Sequence, residues 1–297
     1  MPILNLHRTF LVILFTLPTM LLAIGFIYEP DDLDSYVNIV NSNNLFDENI
    51  YFEFGSKTFL TLMGFTSLDI IISIYCVCFA ILYYLVLIDP SFFRKLCWVP
   101  LIGMYYGENL LFNQFRMSLG LTFFILWYIN LGNPKSYIFI LFSSFFHIIY
   151  ITPLILYFAS HRNIWLLSVL ITCLLPLFFQ SLVDYFSIIE KIYFYNIIEG
   201  SNTFIIFRMA LFISFVLVVK KFNTNIIKDR LLRSYLIYFL AVILLFDFLP
   251  VVFGRISSLI ILSEPFIVCN LTKNRFIYGL YLIILLTLGV MRIWLQY

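Results

Sequence analysis

Charge is what this chain most lacks: Asp, Glu, Lys and Arg make up 11% of its 297 residues, against about a quarter in an ordinary soluble domain. With 63% hydrophobic residues and a mean hydropathy of +1.01, the scarcity excludes a soluble globule. The net charge of +2 is too small for a nucleic-acid binder, whose basic residues gather on one face. Here the charges fall in short clusters between apolar runs. Cysteine is also sparse. Cys76, Cys78, Cys97, Cys173 and Cys269 lie in or beside apolar runs without zinc-like spacing, so neither a disulfide framework nor a metal site is expected. No stretch between the runs holds a soluble domain of ordinary size, and no internal repeat marks an inverted-repeat transporter.

What is present is a series of apolar runs from one end to the other, several near the roughly 20 residues that a helix needs to cross a bilayer. Ten are legible: Phe10–Tyr28, Leu68–Ile88, Leu96–Phe112, Met117–Leu131, Tyr137–Ala159, Ile164–Leu182, Phe204–Val219, Leu236–Phe253, Ile256–Leu271 and Ile277–Leu295. The expected fold is all-α: one polytopic membrane domain over residues 1–297, a helix bundle of about nine or ten membrane segments, some short or re-entrant. Phe10–Tyr28 is longer than a signal peptide's usual apolar core and is read as a retained anchor. Residues 29–67 form the longest loop, acidic and external, with "NIYFEFGSKTFLTLMGF" as a short interfacial helix at its foot.

Lysine and arginine collect on the cytoplasmic side of membrane proteins. The strongest such marker is "KKFNTNIIKDRLLR", with Lys220, Lys221, Lys228, Arg230 and Arg233; weaker ones are His7 with Arg8, Arg94 with Lys95, and Lys135. Strict alternation of spans would carry the 220–233 segment outside, so one run must fail to cross. Residues 137–159 are the best candidate, since a serine pair, His147 and Pro153 interrupt a plain lipid-facing helix. Leu96–Phe112 is the alternative. With the first choice, the acidic loop, Arg116 and Arg255 all fall near the outer face.

Arginine inside a membrane segment costs about 2.5–3.5 kcal/mol on insertion scales when central, and it faces protein or water. Arg116, Arg208 and Arg255 each admit two readings: a snorkelling anchor at a helix end, or a cation in a polar cavity. Two such arginines in one cavity suit a lipid-linked diphosphate, because guanidinium forks match phosphate oxygens. "RISSLIILSEPFIV", with Ser257, Ser258, Glu264 and Pro265, reads as a broken or re-entrant element. Asp247 and Glu108 are further carboxylates able to neutralise an arginine. His147 is the one histidine inside a long apolar run, suited either to proton transfer or to bonding a helix carbonyl. Glu53 stands at the water boundary, where partial burial suits a carboxylate to act as base, or it is one more solvated acid.

The order of these residues resembles the EpsG family and related Wzy-type polysaccharide polymerases. The resemblance runs through "DLDSY" (Asp34, Tyr36), "YFEFGSKTFLTLMGF" (Glu53), "NQFRMSLGLTFF" (Asn113, Arg116), "SSFFHIIYITPLILY" (His147) and "GRISSLIILSEPFIV" (Arg255). Met117 stands where the family has glutamine. The resemblance implies an enzyme that joins oligosaccharide repeat units carried on undecaprenyl diphosphate. The growing glycan moves from its carrier to another lipid-linked unit on the outer side of a bacterial inner membrane, with a chain-length regulator protein as a possible partner.

In that scheme Arg116, Arg255 and Arg208 hold the diphosphate and stabilise the charge that develops as it leaves. Glu53 is the first choice of general base and His147 the second, while Asp34, Tyr36 and Asn113 bind the acceptor. No cofactor is expected, and the transfer is read as metal-independent. The rival readings are a lipid-linked oligosaccharide flippase or other transporter, and a membrane carbohydrate acyltransferase with histidine as base.

Overall fold

The computed structural model describes residues 91–101, 115–186, 203–220, 229–245, 250–272 and 274–296, with isolated positions before residue 91. The described residues are mostly helical and contain no strand, so the fold class is all-α. Two compact units make up the chain, Met1–Ile151 and Thr152–Tyr297.

In the first unit α1 spans Phe92–Pro100. Ser91 caps it by accepting from the Arg94 amide at 3.4 Å, so Arg94 and Lys95 stand in its first turn and not in a loop, as the charge pattern suggested. Helix α2 (Phe115–Ile129) and α3 (Tyr137–Phe146) form a hairpin. Asn130 closes the end of α2, its side-chain amide donating to the Leu126 carbonyl at 2.8 Å. Gly132 then turns the chain at φ 98°, a backbone region that costs glycine nothing. Asn133 accepts from the Lys135 amide at 3.0 Å, with Pro134 opening the 3-10 turn Pro134–Ser136. Phe123 stacks on Phe142 and Phe146 with ring centroids 5.7 and 5.9 Å away.

The run 137–159, expected to dip and return, is not one helix. Helix α3 ends at His147, whose backbone is extended (φ −153°, ψ 120°); a 3-10 turn, Ile148–Tyr150, follows, then α4, Ile151–Ala159. Pro153 lies in the first turn of α4, where a missing amide hydrogen costs no helical bond. The outward face of α3 is apolar. Ile138, Leu141, Phe142 and Phe145 are all exposed, at helical spacing, the reverse of a helix on a water-soluble protein.

The second unit holds α4, α5 (Trp165–Phe186), α6 (Thr203–Lys220), α7 (Arg230–Leu245), α8 (Pro250–Ile261), α9 (Glu264–Leu271) and α10 (Arg275–Gln296). Helix α7 packs on α5, and α6 touches α7, α9 and α10. Helix α7 starts at Arg230, six residues before the expected span, because Asp229 caps it: its Oδ1 accepts from the Leu231 and Leu232 amides at 2.8 and 3.2 Å. Arg230 and Arg233 are therefore helical and not loop residues. The same expected span was drawn to Phe253, yet α7 ends at Leu245 and Pro250 opens α8.

Residues 256–271, read as broken, do break. Leu262 and Ser263 form a turn between α8 and α9, the Ser263 hydroxyl donating to the Ile260 carbonyl at 2.6 Å, and Pro265 sits in the first turn of α9. Taken together, Val252–Leu271 is a helical stretch of 20 residues and mean hydropathy 1.6, long and apolar enough to cross a membrane; 72% of it is buried inside the protein. It is the one such stretch among the described residues, beside shorter apolar helices.

Candidate active site

In the first unit the hairpin brings the start of α2 against the break at His147. Gly120 makes the approach possible: the Ser143 hydroxyl donates to its carbonyl at 2.7 Å. The Tyr150 ring lies where a side chain at 120 would be. The buried Tyr150 hydroxyl donates to the carbonyl of Met117, the residue after Arg116. Tyr150 also closes the 3-10 turn, its amide donating to the His147 carbonyl at 3.2 Å. Two expected site residues thus sit on backbone segments joined through one tyrosine. Arg116 occupies the second position of α2.

His147 is buried, and its Nδ1 accepts from the Ile149 amide at 3.3 Å. That bond places the proton of a neutral ring on Nε2.

The second unit contains a polar cluster that the sequence did not reveal. Glu264, 1% exposed, receives four hydrogen bonds. Arg208 donates through both terminal nitrogens, at 2.8 Å to Oε1 and 3.0 Å to Oε2; Tyr235 donates to Oε1 at 2.6 Å and Tyr281 to Oε2 at 2.7 Å. One carboxylate thereby ties together α6, α7, α9 and α10, in the bidentate geometry that makes arginine pairs strong. Arg208, expected on a diphosphate, is instead locked onto Glu264 at 2% exposure. The crevice beside it, lined by Phe212, Phe215, Tyr281 and Leu288, has about 10 Å³ of free room, enough for a single water. The pair lies 56 residues apart in sequence.

Arg255 is half-buried in α8. The helix around it is pinned to α7: the Tyr238 hydroxyl donates to the Phe253 carbonyl at 2.6 Å and lies 3.0 Å from the Ser257 hydroxyl. Because Tyr238 gives its proton to Phe253, Ser257 is the donor in the second contact. These bonds hold the Phe253 carbonyl two residues before Arg255 and the Ser257 side chain two residues after it. Tyr238→Phe is expected to lower stability by about 0.5–1.5 kcal/mol, read as a small fall in the unfolding midpoint of the detergent-purified protein.

Glu53, Asp34, Tyr36 and Asn113 lie outside the described residues, as do Glu108 and Asp247. Aromatic content alone did not single out Tyr150, Tyr235, Tyr238 and Tyr281. The available signal for the Glu264 cluster was scarcity: Asp229, Asp247 and Glu264 are the acids in the apolar stretch that follows Arg208.

The described residues are all-helical, turn apolar faces outward, and include one stretch long and apolar enough to cross a membrane. The chain belongs to the EpsG family, a Wzy-like polymerase family, which it matches over residues 9–297. No curated protein and no solved structure matches it.

Proposed function

We propose that the protein is a polytopic inner-membrane polymerase that lengthens a surface polysaccharide. A growing glycan leaves undecaprenyl diphosphate and joins the sugar of a second lipid-linked repeat unit on the outer side of the membrane. The observation that carries this reading is membership of the EpsG family over nearly the whole chain.

The residues fit the reaction. Breaking the bond between the anomeric carbon and the diphosphate leaves negative charge on the leaving group, and prepositioned guanidinium groups lower the energy of that state. Arg116, at the start of α2, and Arg255, in α8, supply those groups, each beside backbone fixed by a tyrosine hydroxyl. Arg208 is reassigned from substrate binding to holding Glu264. Glu53 takes the proton of the attacking hydroxyl. His147, with Nδ1 engaged, donates a hydrogen bond through Nε2. Asp34, Tyr36 and Asn113 bind the acceptor. The transfer proceeds without a metal ion, and a chain-length regulator sets its extent.

The test uses purified protein with a defined lipid-linked repeat unit. Arg116→Lys and Arg255→Lys keep the charge but lose the two-pronged geometry, so each is expected to lose polymer formation by about 10²–10³-fold, as removal of one oxyanion donor does. The proteins should still accumulate in the membrane. Normal polymerisation by both variants would make them interfacial anchors and defeat the reading. In cells lacking the protein, single repeat units on finished surface lipid are expected; units trapped inside would indicate a flippase, and undecorated full-length chains an acyltransferase.

A further inference from the structure

Helix α8 shows its surroundings one narrow strip of its surface. From Val252 through α9 as far as Val268, every residue is buried except Val252, Gly254, Arg255 and Ser258. At about 100° per residue, Gly254, Arg255 and Ser258 fall within one arc of about 100°. Phe253 and Ser257, which Tyr238 grips from α7, fall on the other side. The Tyr238 contacts therefore fix the rotation of α8 about its own axis and turn this strip outward.

The strip differs from a lipid-facing one. The outward side of α5 carries Leu166, Leu170, Leu174 and Leu177, all exposed, whereas this strip carries a guanidinium, a hydroxyl and a glycine. Arginine inside a membrane segment faces protein or water. Gly254 puts no side chain in front of the backbone beside it.

The two neighbouring serines have different tasks. Ser257 is fully buried and lies 3.0 Å from the Tyr238 hydroxyl, so it serves the packing of α8 on α7. Ser258 is half-buried, one turn beyond Arg255 on the same side. Its hydroxyl donates to the Gly254 carbonyl at 3.2 Å, which is long for an O–H donor. The same contact is 2.8 Å at Ser144 and Thr172 and 2.9 Å at Ser214. Turning that hydroxyl away costs the Gly254 carbonyl little, because within a helix it keeps the amide four residues on. Helical side chains lean toward the N-terminus, over the preceding turn, so the Ser258 hydroxyl reaches toward the turn that carries Arg255.

A cation beside a neutral donor that can be redirected suits phosphate oxygens: the guanidinium supplies charge and the hydroxyl a directed hydrogen bond. A diphosphate offers oxygens to both at once. We propose that Ser258 is a second binding residue for the carrier diphosphate, acting beside Arg255. This assignment rests on the reading of Arg255 given above and adds to it a neutral donor.

The experiment titrates the full-length protein in non-ionic detergent with undecaprenyl diphosphate. Retained lipid is counted by native mass spectrometry, and the unfolding midpoint is measured without lipid. Ser258→Ala is expected to weaken binding about ten-fold, the effect of losing one hydrogen bond to a charged group, with the midpoint unchanged. Ser258→Thr keeps the hydroxyl and should restore binding. Ser214→Ala, at an exposed helical serine with the ordinary contact, should bind as the parent does. Parent-like binding by Ser258→Ala while Arg255→Lys binds weakly would overturn this assignment and leave the Arg255 reading standing. Parent-like binding by both would remove the diphosphate from α8 and overturn the two together. Weak binding by Ser258→Thr equal to that of Ser258→Ala would show that the hydroxyl is not what binds, and would also overturn the proposal.

Discussion

Glu264→Ala is expected to destabilise the second unit by about 3–5 kcal/mol, the usual consequence of removing one partner of a buried ion pair. The loss is large because the carboxylate is the shared acceptor of Arg208, Tyr235 and Tyr281. Without it, a guanidinium and two hydroxyl groups remain in an apolar interior. The measurement is thermal unfolding of the detergent-solubilised protein together with its membrane yield. A double variant, Arg208→Met with Glu264→Leu, should lose less than Glu264→Ala alone, since apolar replacement of both ions removes the stranded charge. If the two behave alike, the energy resides in the tyrosine hydroxyls and not in the ion pair.

Gly120→Ala is expected to cost about 1–3 kcal/mol through overpacking, and to lower polymer formation with it. The added methyl carbon would run into the Tyr150 ring, standing 2.9 Å from Cδ2, and 3.0 Å from the Ser143 carbonyl oxygen. Neither obstacle moves easily, because Tyr150 is buried with its hydroxyl held by Met117, and the Ser143 oxygen is helix backbone. Relief would need α2 to separate from the His147 turn, shifting the segment that carries Arg116. Tyr150→Ala in the same chain removes the ring and should make the Gly120→Ala step nearly neutral on the unfolding midpoint. Additive losses would show that the ring is not what Gly120 accommodates.

Much of the helical layout was legible in the sequence, and the reason is local. Runs such as Met117–Leu131, Phe204–Val219 and Ile277–Leu295 correspond to α2, α6 and α10 to within two residues, because burial or lipid exposure on every side leaves no polar face to confuse their limits. The breaks at His147 and Ser263 were legible too, from a histidine and from the proline and serines around them. Helix starts set by a cap were missed. Ser91 and Asp229 draw basic residues into α1 and α7, and loop-charge reasoning treats those same residues as markers of a connection. The site was legible only as a set of polar residues in an apolar chain. Whether Arg208 meets a phosphate or Glu264 depends on how α6 packs against α9, which no local pattern encodes. The positioning tyrosines were hidden among the chain's 20, distinguished only by which carbonyl or carboxylate each hydroxyl reaches.

The spacing of that ion pair also bears on biosynthesis. Arg208 leaves the ribosome 56 residues ahead of Glu264, which at about 5–20 residues per second is an interval of roughly 3–11 s. Throughout that interval a nascent chain threading into the bilayer carries a cation whose permanent counterion has not yet been translated. Ribosome stalling or premature termination between those codons would strand the arginine and mark the truncated product for quality-control proteolysis.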